Sequence, residues 1–344
     1  MQDNFITETL SNDRIRNQIQ RLRPAEPWDA LEESGATMWL STLIQDADEN
    51  RLARELINDH GSALKVLEAI AQINTPANEG PAVEHLMSAK LAGADGPVLQ
   101  RWSSSLDIEK FQSMLQFGSN IGVRFSRAGD TAWPDTLHAG KRNVPIGVWS
   151  QGDVDILRYA STGVSIVGPL APTPQERQVA RQTALEITRA GGVVIIDSRT
   201  PIGAAALGGT MSYEGLVVDV TSAGAETFRH QHNRITVSAS APGQGGTVQR
   251  RTKQDLLLAN LGRGVVAFQS EDPSISRRIC MIARQSDTPV ISVPLQDAAR
   301  SEQTPQTPRP ARHVGLGLVP SLFPQRQRPP GLVPGVSKCF VLGL

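Results

Sequence analysis

Residues 164–176 read VSIVGPLAPTPQE. Val164 through Val167 have the make-up of a short strand buried on both faces, as in a parallel sheet. Gly168 allows a sharp turn. Thr173 and Glu176 form a T-x-x-E capping box, and Pro174 falls at the first helical position, so a helix begins there. Val179, Ala180, Thr183, Ala184 and Ile187 give that helix one apolar face, while Arg177 and Arg181 lie one turn apart on another. A strand, a glycine turn and a capped helix set backbone N–H groups and the positive helix end above the strand, which makes a weak anion site. Neither G-x-G-x-x-G nor a following G-K-[ST] is present, which argues against a dinucleotide fingerprint and a Walker-type NTPase.

The same unit repeats downstream. Strand-like runs at 193–197, 216–221, 265–269 and 289–294 alternate with helix-like runs at 175–190, 202–211, 256–261 and 274–284. Such alternation predicts an α/β fold, a Rossmann-like and mostly parallel sheet with crossover helices, whose ligands sit beyond the carboxyl ends of the strands.

Upstream the periodicity is helical. Trp39, Leu40, Leu43 and Ile44 recur at helical spacing, then Leu52, Leu56 and Ile57 up to His60-Gly61. Ser62 caps a further helix carrying Leu64, Val66, Leu67 and Ile70, and Asp107 caps one with Phe111, Met114 and Leu115 on one face. The expected organisation is a flexible leader over 1–33 and a small all-helical (SAM-like) domain over 34–118. A connector with the extended Rossmann-like domain follows over 119–295, then a proline-rich, disordered tail over 296–344. A packing or interaction module and a direct DNA contact both fit the helical domain.

Composition bounds the function. Apolar residues make up 39% of the chain, enough for a real core. The formal net charge of zero argues against coating DNA by bulk charge, but leaves room for a local basic patch. Cys280 and Cys339 have no metal-ligand spacing, and reduced thiols are expected. No signal peptide or membrane span is visible, which predicts a cytoplasmic protein without a membrane partner.

Arg250-Arg251-Thr252-Lys253 precedes a helix expected from about 254 to 261. Three cations at the positive end of a helix are awkward, and a bound phosphate relieves them. A solvated charged face and a nucleic-acid backbone contact both fit. The Pro242-Gly243-Gln244-Gly245-Gly246-Thr247 run can cradle a phosphate or serve as a connector. Asp197-Ser198-Arg199 stands at a strand end, where either a ligand contact or a plain turn fits. His230 and His232 have no third ligand at a recognisable spacing, and no nucleophile elbow occurs, so neither a metal nor a catalytic residue is predicted.

Taken in order, these segments resemble the bacterial DNA-processing protein DprA (Smf) family over roughly 34–295. Trp133-Pro134-Asp135-Thr136-Leu137 resembles its aromatic-Pro-x-x-Leu segment, and Pro145 through Gly152 resembles its P-x-x-L-[FY]-x-x-G strand. VSIVGPLAPT resembles V-A-I-V-G-S-R-x-A-T, and Ser238 through Gly243 resembles S-E-x-P-P-G. Leu257 through Val266 and Val290 through Pro294 resemble two further strand motifs. The polar positions depart from the pattern. Gly168-Pro169-Leu170 replaces G-S-R, so Leu170 stands where the family has arginine. Thr200, Gly203 and Leu207 replace an arginine, an aspartate and a histidine, and Gln254-Asp255-Leu256 replaces R-N-R.

The resemblance implies single-stranded DNA binding in DNA processing, natural transformation and recombination, weakened here by the drifted positions. It also implies loading of a RecA-type recombinase, a homodimer, no cofactor and no enzymatic activity. Gly168 and Thr173 carry over in the anion loop. Arg199, Arg250, Arg251 and Lys253 are the candidate DNA-binding cations, the last three as replacements for lost ones. Only 4% of residues are aromatic, so stacking is scarce and binding is expected to be weak and salt-sensitive. Two alternatives stand beside this. The P-G-Q-G-G-T loop is similar to that of lysine-decarboxylase-like nucleotide phosphoribohydrolases, and a scaffold that has lost DNA binding fits equally.

Overall fold

The computed structural model describes residues 5–73, 90, 93–138, 141, 144–222, 233–243, 248–268 and 275–293, with backbone only at 248–250 and 275. The expected tail over 296–344 lies outside the described residues.

The chain begins helical. Helices α1 (Phe5–Leu10) and α2 (Asp13–Leu22) precede α3 (Leu31–Leu43), α4 (Ala47–His60) and α5 (Ala63–Gln72). Helices α6 (Gly96–Ser104) and α7 (Ile108–Asn120) complete this part among the described residues. Ser62 and Asp107 cap α5 and α7 as their sequence positions predict, each accepting a hydrogen bond from the backbone three residues on.

From Phe5 on, the expected flexible leader is instead largely helical. Ile6, Leu10, Ile15, Ile19 and Leu22 are almost wholly buried in the helical core, where α1 packs on α3 and α5, and α2 on α3 and α7. The spacing 15, 19, 22 is one apolar helix face, masked in the sequence by the charged residues around it. Arg23 then ties α2 to the sheet. Its guanidinium donates to Glu26, to both oxygens of Asp130 at 2.7 Å and to the Phe125 carbonyl at 3.0 Å.

The sheet has eight strands among the described residues: β1 (Arg124–Arg127), β2 (Gly147–Gly152), β3 (Val164–Val167), β4 (Val194–Ile196), β5 (Val217–Val220), β6 (Arg234–Ser238), β7 (Gly264–Phe268) and β8 (Val290–Val293). Their order is β1-β2-β6-β5-β4-β3-β7-β8. The six strands from β6 to β8 are parallel, while β1 and β2 join antiparallel beyond β6. Sequence patterning predicts the parallel part. It marks β2 within the connector, and leaves β1 and β6 unmarked, since both carry charged or polar residues among the apolar ones.

Helices cover both faces. Helices α9 (Pro174–Arg189) and α10 (Pro201–Met211) bury Ala180, Ala184, Ile187, Ile202 and Ala206 on one. On the other lie α8 (Val154–Tyr159), α11 (Val248–Asn260) and α12 (Ile275–Gln285), packed over Val218, Val220, Val265 and Ala267. The helical part has no separate core. Phe125, Ile146, Trp149 and Ala241 belong to its cluster, so apolar packing runs through the boundary expected at 118/119.

The candidate nucleic-acid interface at the carboxyl edge of the sheet

The path β3-α9-β4-α10-β5 runs to one side of β3, and β7-α12-β8 lies on the other. The chain therefore reverses its winding between β3 and β7, and ligands of open parallel sheets bind in the crevice at that point. The loop after β3, Gly168 to Thr173, stands over it. Four helices, α9, α10, α11 and α12, start at this same edge, since each follows a parallel strand.

Gly168 is there because the backbone passes too close to its neighbours for a side chain. A Cβ on it would lie 2.6 Å from Ile202 Cγ1 and 3.1 Å from Phe268 Cβ. Pro169 is buried beside it, and Leu170 projects outward with 59% of its surface exposed. The capping box at α9 is complete. Glu176 N–H donates to Thr173 Oγ1 at 3.1 Å, and Thr173 N–H donates to Glu176 Oε2 at 2.6 Å. The box is the one that the T-x-x-E spacing predicts. The Glu176 carboxylate already sits on the helix start, so an incoming phosphate meets a negative charge there.

Arg199 is also at the edge, but it is engaged. Its backbone N–H and Nε donate to Asp197 Oδ1 at 3.0 and 2.9 Å, and Nη2 donates to Asp197 Oδ2 at 3.0 Å. Gln254 Nε2 donates to the same Asp197 Oδ2 at 2.7 Å and to the Val220 carbonyl at 2.8 Å. Below it Asp219 accepts from the Ser198 N–H at 2.8 Å, from Ser198 Oγ at 2.7 Å and from Arg234. Asp255 is buried and accepts from Arg278. Burial pushes the Asp255 carboxyl up to about 6, because the Arg278 guanidinium offsets only part of the lost hydration and Asp197 adds to the rise. All three acids are thus held by arginine or amide partners.

The basic cluster divides. Helix α11 begins at Val248, not near 254, so its cations lie inside the helix. Lys253 then falls one turn before Leu257 on the inward face and is 5% exposed. It shares with Ser41, Asn50, Pro145 and Ala239 a cavity of about 10 Å³ at the seam with the helical part. That is room for one water and no more. Lys253 is therefore removed from the candidate surface. Arg251 is exposed, and the Arg250 side chain lies outside the described residues, as do His230, His232 and 244–247 of the glycine-rich loop.

Two further arginines join Arg251. Arg177 and Arg277 are exposed, and each of the three stands within the first four residues of its helix, α9, α11 or α12. Arg277 was legible only in part: the first turns of α11 and α12 carry no acid, an arrangement unfavourable to the helix without an anion. Among the described residues, no three His, Cys, Asp or Glu side chains group to hold a metal, and no helix is long and apolar enough to cross a membrane.

The architecture is that of an extended Rossmann sheet behind a helical part, the fold of the DNA-processing proteins. It is similar to the crystal structure of DNA processing protein A (DprA) from Streptococcus pneumoniae, with a TM-score of 0.54 and 16% identity, over 78% of this chain and 87% of that one. A structure of DNA processing protein A from Helicobacter pylori, which binds single-stranded DNA, aligns with a TM-score of 0.43 and 16% identity, over 51% of this chain and 82% of that one. No family model and no curated protein matches the sequence.

Proposed function

We propose that this protein binds single-stranded DNA along the carboxyl edge of its sheet and acts in DNA processing. The observation that carries this is the exposure of Arg177, Arg251 and Arg277 at three helix starts along the carboxyl edge of the sheet. Gly168 and Thr173 shape the loop between them, Arg250 adds a neighbouring cation, and Arg199 is held back by Asp197. A fold similar to DprA supports the reading. A binding role fits the described edge acids Asp197, Asp219 and Asp255, each of which is engaged in hydrogen bonds. Loading of a RecA-type recombinase, homodimerisation, natural transformation and a cytoplasmic location belong to the same proposal through the family resemblance.

The test is fluorescence anisotropy with labelled oligo-dT across a salt series. Alanine at Arg177, Arg251 and Arg277 together is expected to weaken binding and to reduce the slope of log K against log salt by about 0.7 for each lost phosphate contact. An unchanged slope removes this edge from the interface.

A further inference from the structure

A groove between α2 and α7 lies apart from the sheet edge. It encloses about 380 Å³, within the roughly 300–1,000 Å³ of small-molecule sites. Its walls are dominated by amides. Gln112, Gln116 and Asn120 recur every fourth residue of α7 and so stack along one side of that helix. Arg14 and Gln18, also four apart, line the groove from α2, and Glu109 is its one acid among the described lining residues.

Gln18 Nε2 donates to Gln116 Oε1 at 3.3 Å across the groove. The Oε1 atom of Gln18 is buried without a hydrogen-bond partner. A buried orphan acceptor is rare in native structures and calls for a donor. Each amide offers both a donor and an acceptor, which is the pattern of a nucleobase edge. An aromatic ring lines the groove as well. Phe117 is half-buried in the groove lining, and a Cβ on Gly243 would lie 3.6 Å from its Cδ1. Gly243 belongs to the turn that leaves the carboxyl end of β6, and α11 with Arg251 starts five positions later. The Phe117 end of the groove therefore adjoins the carboxyl edge of the sheet.

We propose that this groove takes unpaired nucleobases of a strand whose phosphates lie on the sheet edge. The Phe117 ring offers a stacking face, the amides of Gln18, Gln112, Gln116 and Asn120 meet base edges, and Arg14 supplies a cation at the same groove. This rests on the DNA-binding reading above and gives it a stacking group beside the sheet edge.

The experiment has two arms. In the first, free uncharged nucleosides are titrated into the full chain while the side-chain amide resonances of Gln112 and Gln116 are followed by NMR. Nucleosides carry no phosphate, so this arm is blind to the arginine edge. Saturable shifts of these amides are expected, and their absence overturns the proposal whether or not oligonucleotides bind. In the second, the Gln112→Ala, Gln116→Ala double variant is measured against oligo-dT. About tenfold weaker binding with an unchanged salt slope is expected, the loss of roughly one base contact. Wild-type affinity in that variant overturns the placement of the groove on the strand's path. Nucleoside shifts in a chain that binds no oligonucleotide sink the DNA-binding reading and leave the groove as a nucleobase site.

Discussion

The carboxylate of Asp197 holds the guanidinium of Arg199 in a two-point pair, Oδ1 to Nε at 2.9 Å and Oδ2 to Nη2 at 3.0 Å. An arginine so engaged has less to give to a phosphate. Exposed pairs of this kind are worth about 0.2–1 kcal/mol. The Asp197→Asn variant is therefore predicted to bind oligo-dT about two- to fivefold more tightly at low salt. Equal or weaker affinity by anisotropy would show that Arg199 does not reach the strand.

Leu170 projects 59% exposed from the loop after β3, at the position where the DprA family carries arginine. The Leu170→Arg variant is expected to tighten oligonucleotide binding and to steepen the salt slope by about 0.7, as one added phosphate contact would. The measurement is the same titration at two salt concentrations, and a slope equal to wild type counts against the loop as part of the interface.

Asp255 gives the fold a pH dependence. Its carboxyl titrates at about 6 when folded and at the ordinary 3.8 when unfolded. The folded chain thus keeps this proton over a range where the unfolded chain has lost it. Its contribution to stability is fully present below about pH 4 and is lost as pH rises through about 6. Relative to Asp255→Asn, the wild type is predicted to lose roughly 2–3 kcal/mol between pH 4 and pH 7. Urea unfolding of both proteins across that range checks it; parallel curves reject the assignment.

Arg23 joins the first two helices to the sheet through Glu26, Asp130 and the Phe125 carbonyl. Burial works against the Glu26 carboxylate, but hydrogen bonds from Arg23 and Arg127 outweigh it and hold it below the ordinary value. Replacing Arg23 by methionine leaves two acids facing each other with Arg127 as the remaining cation on Glu26. A loss of about 3 kcal/mol is predicted at neutral pH from urea midpoints. A change below about 1 kcal/mol would mean that apolar packing alone fastens α2.

Gly168→Ala tests the close approach of the loop. The new methyl would meet Ile202 at its Cγ1 and Phe268 at its Cβ, neither of which is the end of a flexible side chain. About 1–3 kcal/mol of destabilisation is expected, with the same salt slope for DNA if the loop keeps its shape.

The alternation of apolar runs with amphipathic helices fixed the parallel sheet in advance, because buried strands and one-faced helices leave distinct periods in the chain. The caps at Ser62, Asp107 and Thr173 were equally plain, since capping depends on residues three positions apart. Helix α2 escaped notice because its apolar face is only three residues among charges, and those residues matter only once α3 and α7 pack on them. The sequence also named the local cations. Which of them face solvent was decided by the packing of α11: two residues of helix, about 200° of rotation, place Lys253 in the seam and leave Arg251 outside. The groove between α2 and α7 had no local signal at all. Its two walls are about a hundred residues apart in the chain, and only the tertiary structure brings their amides together.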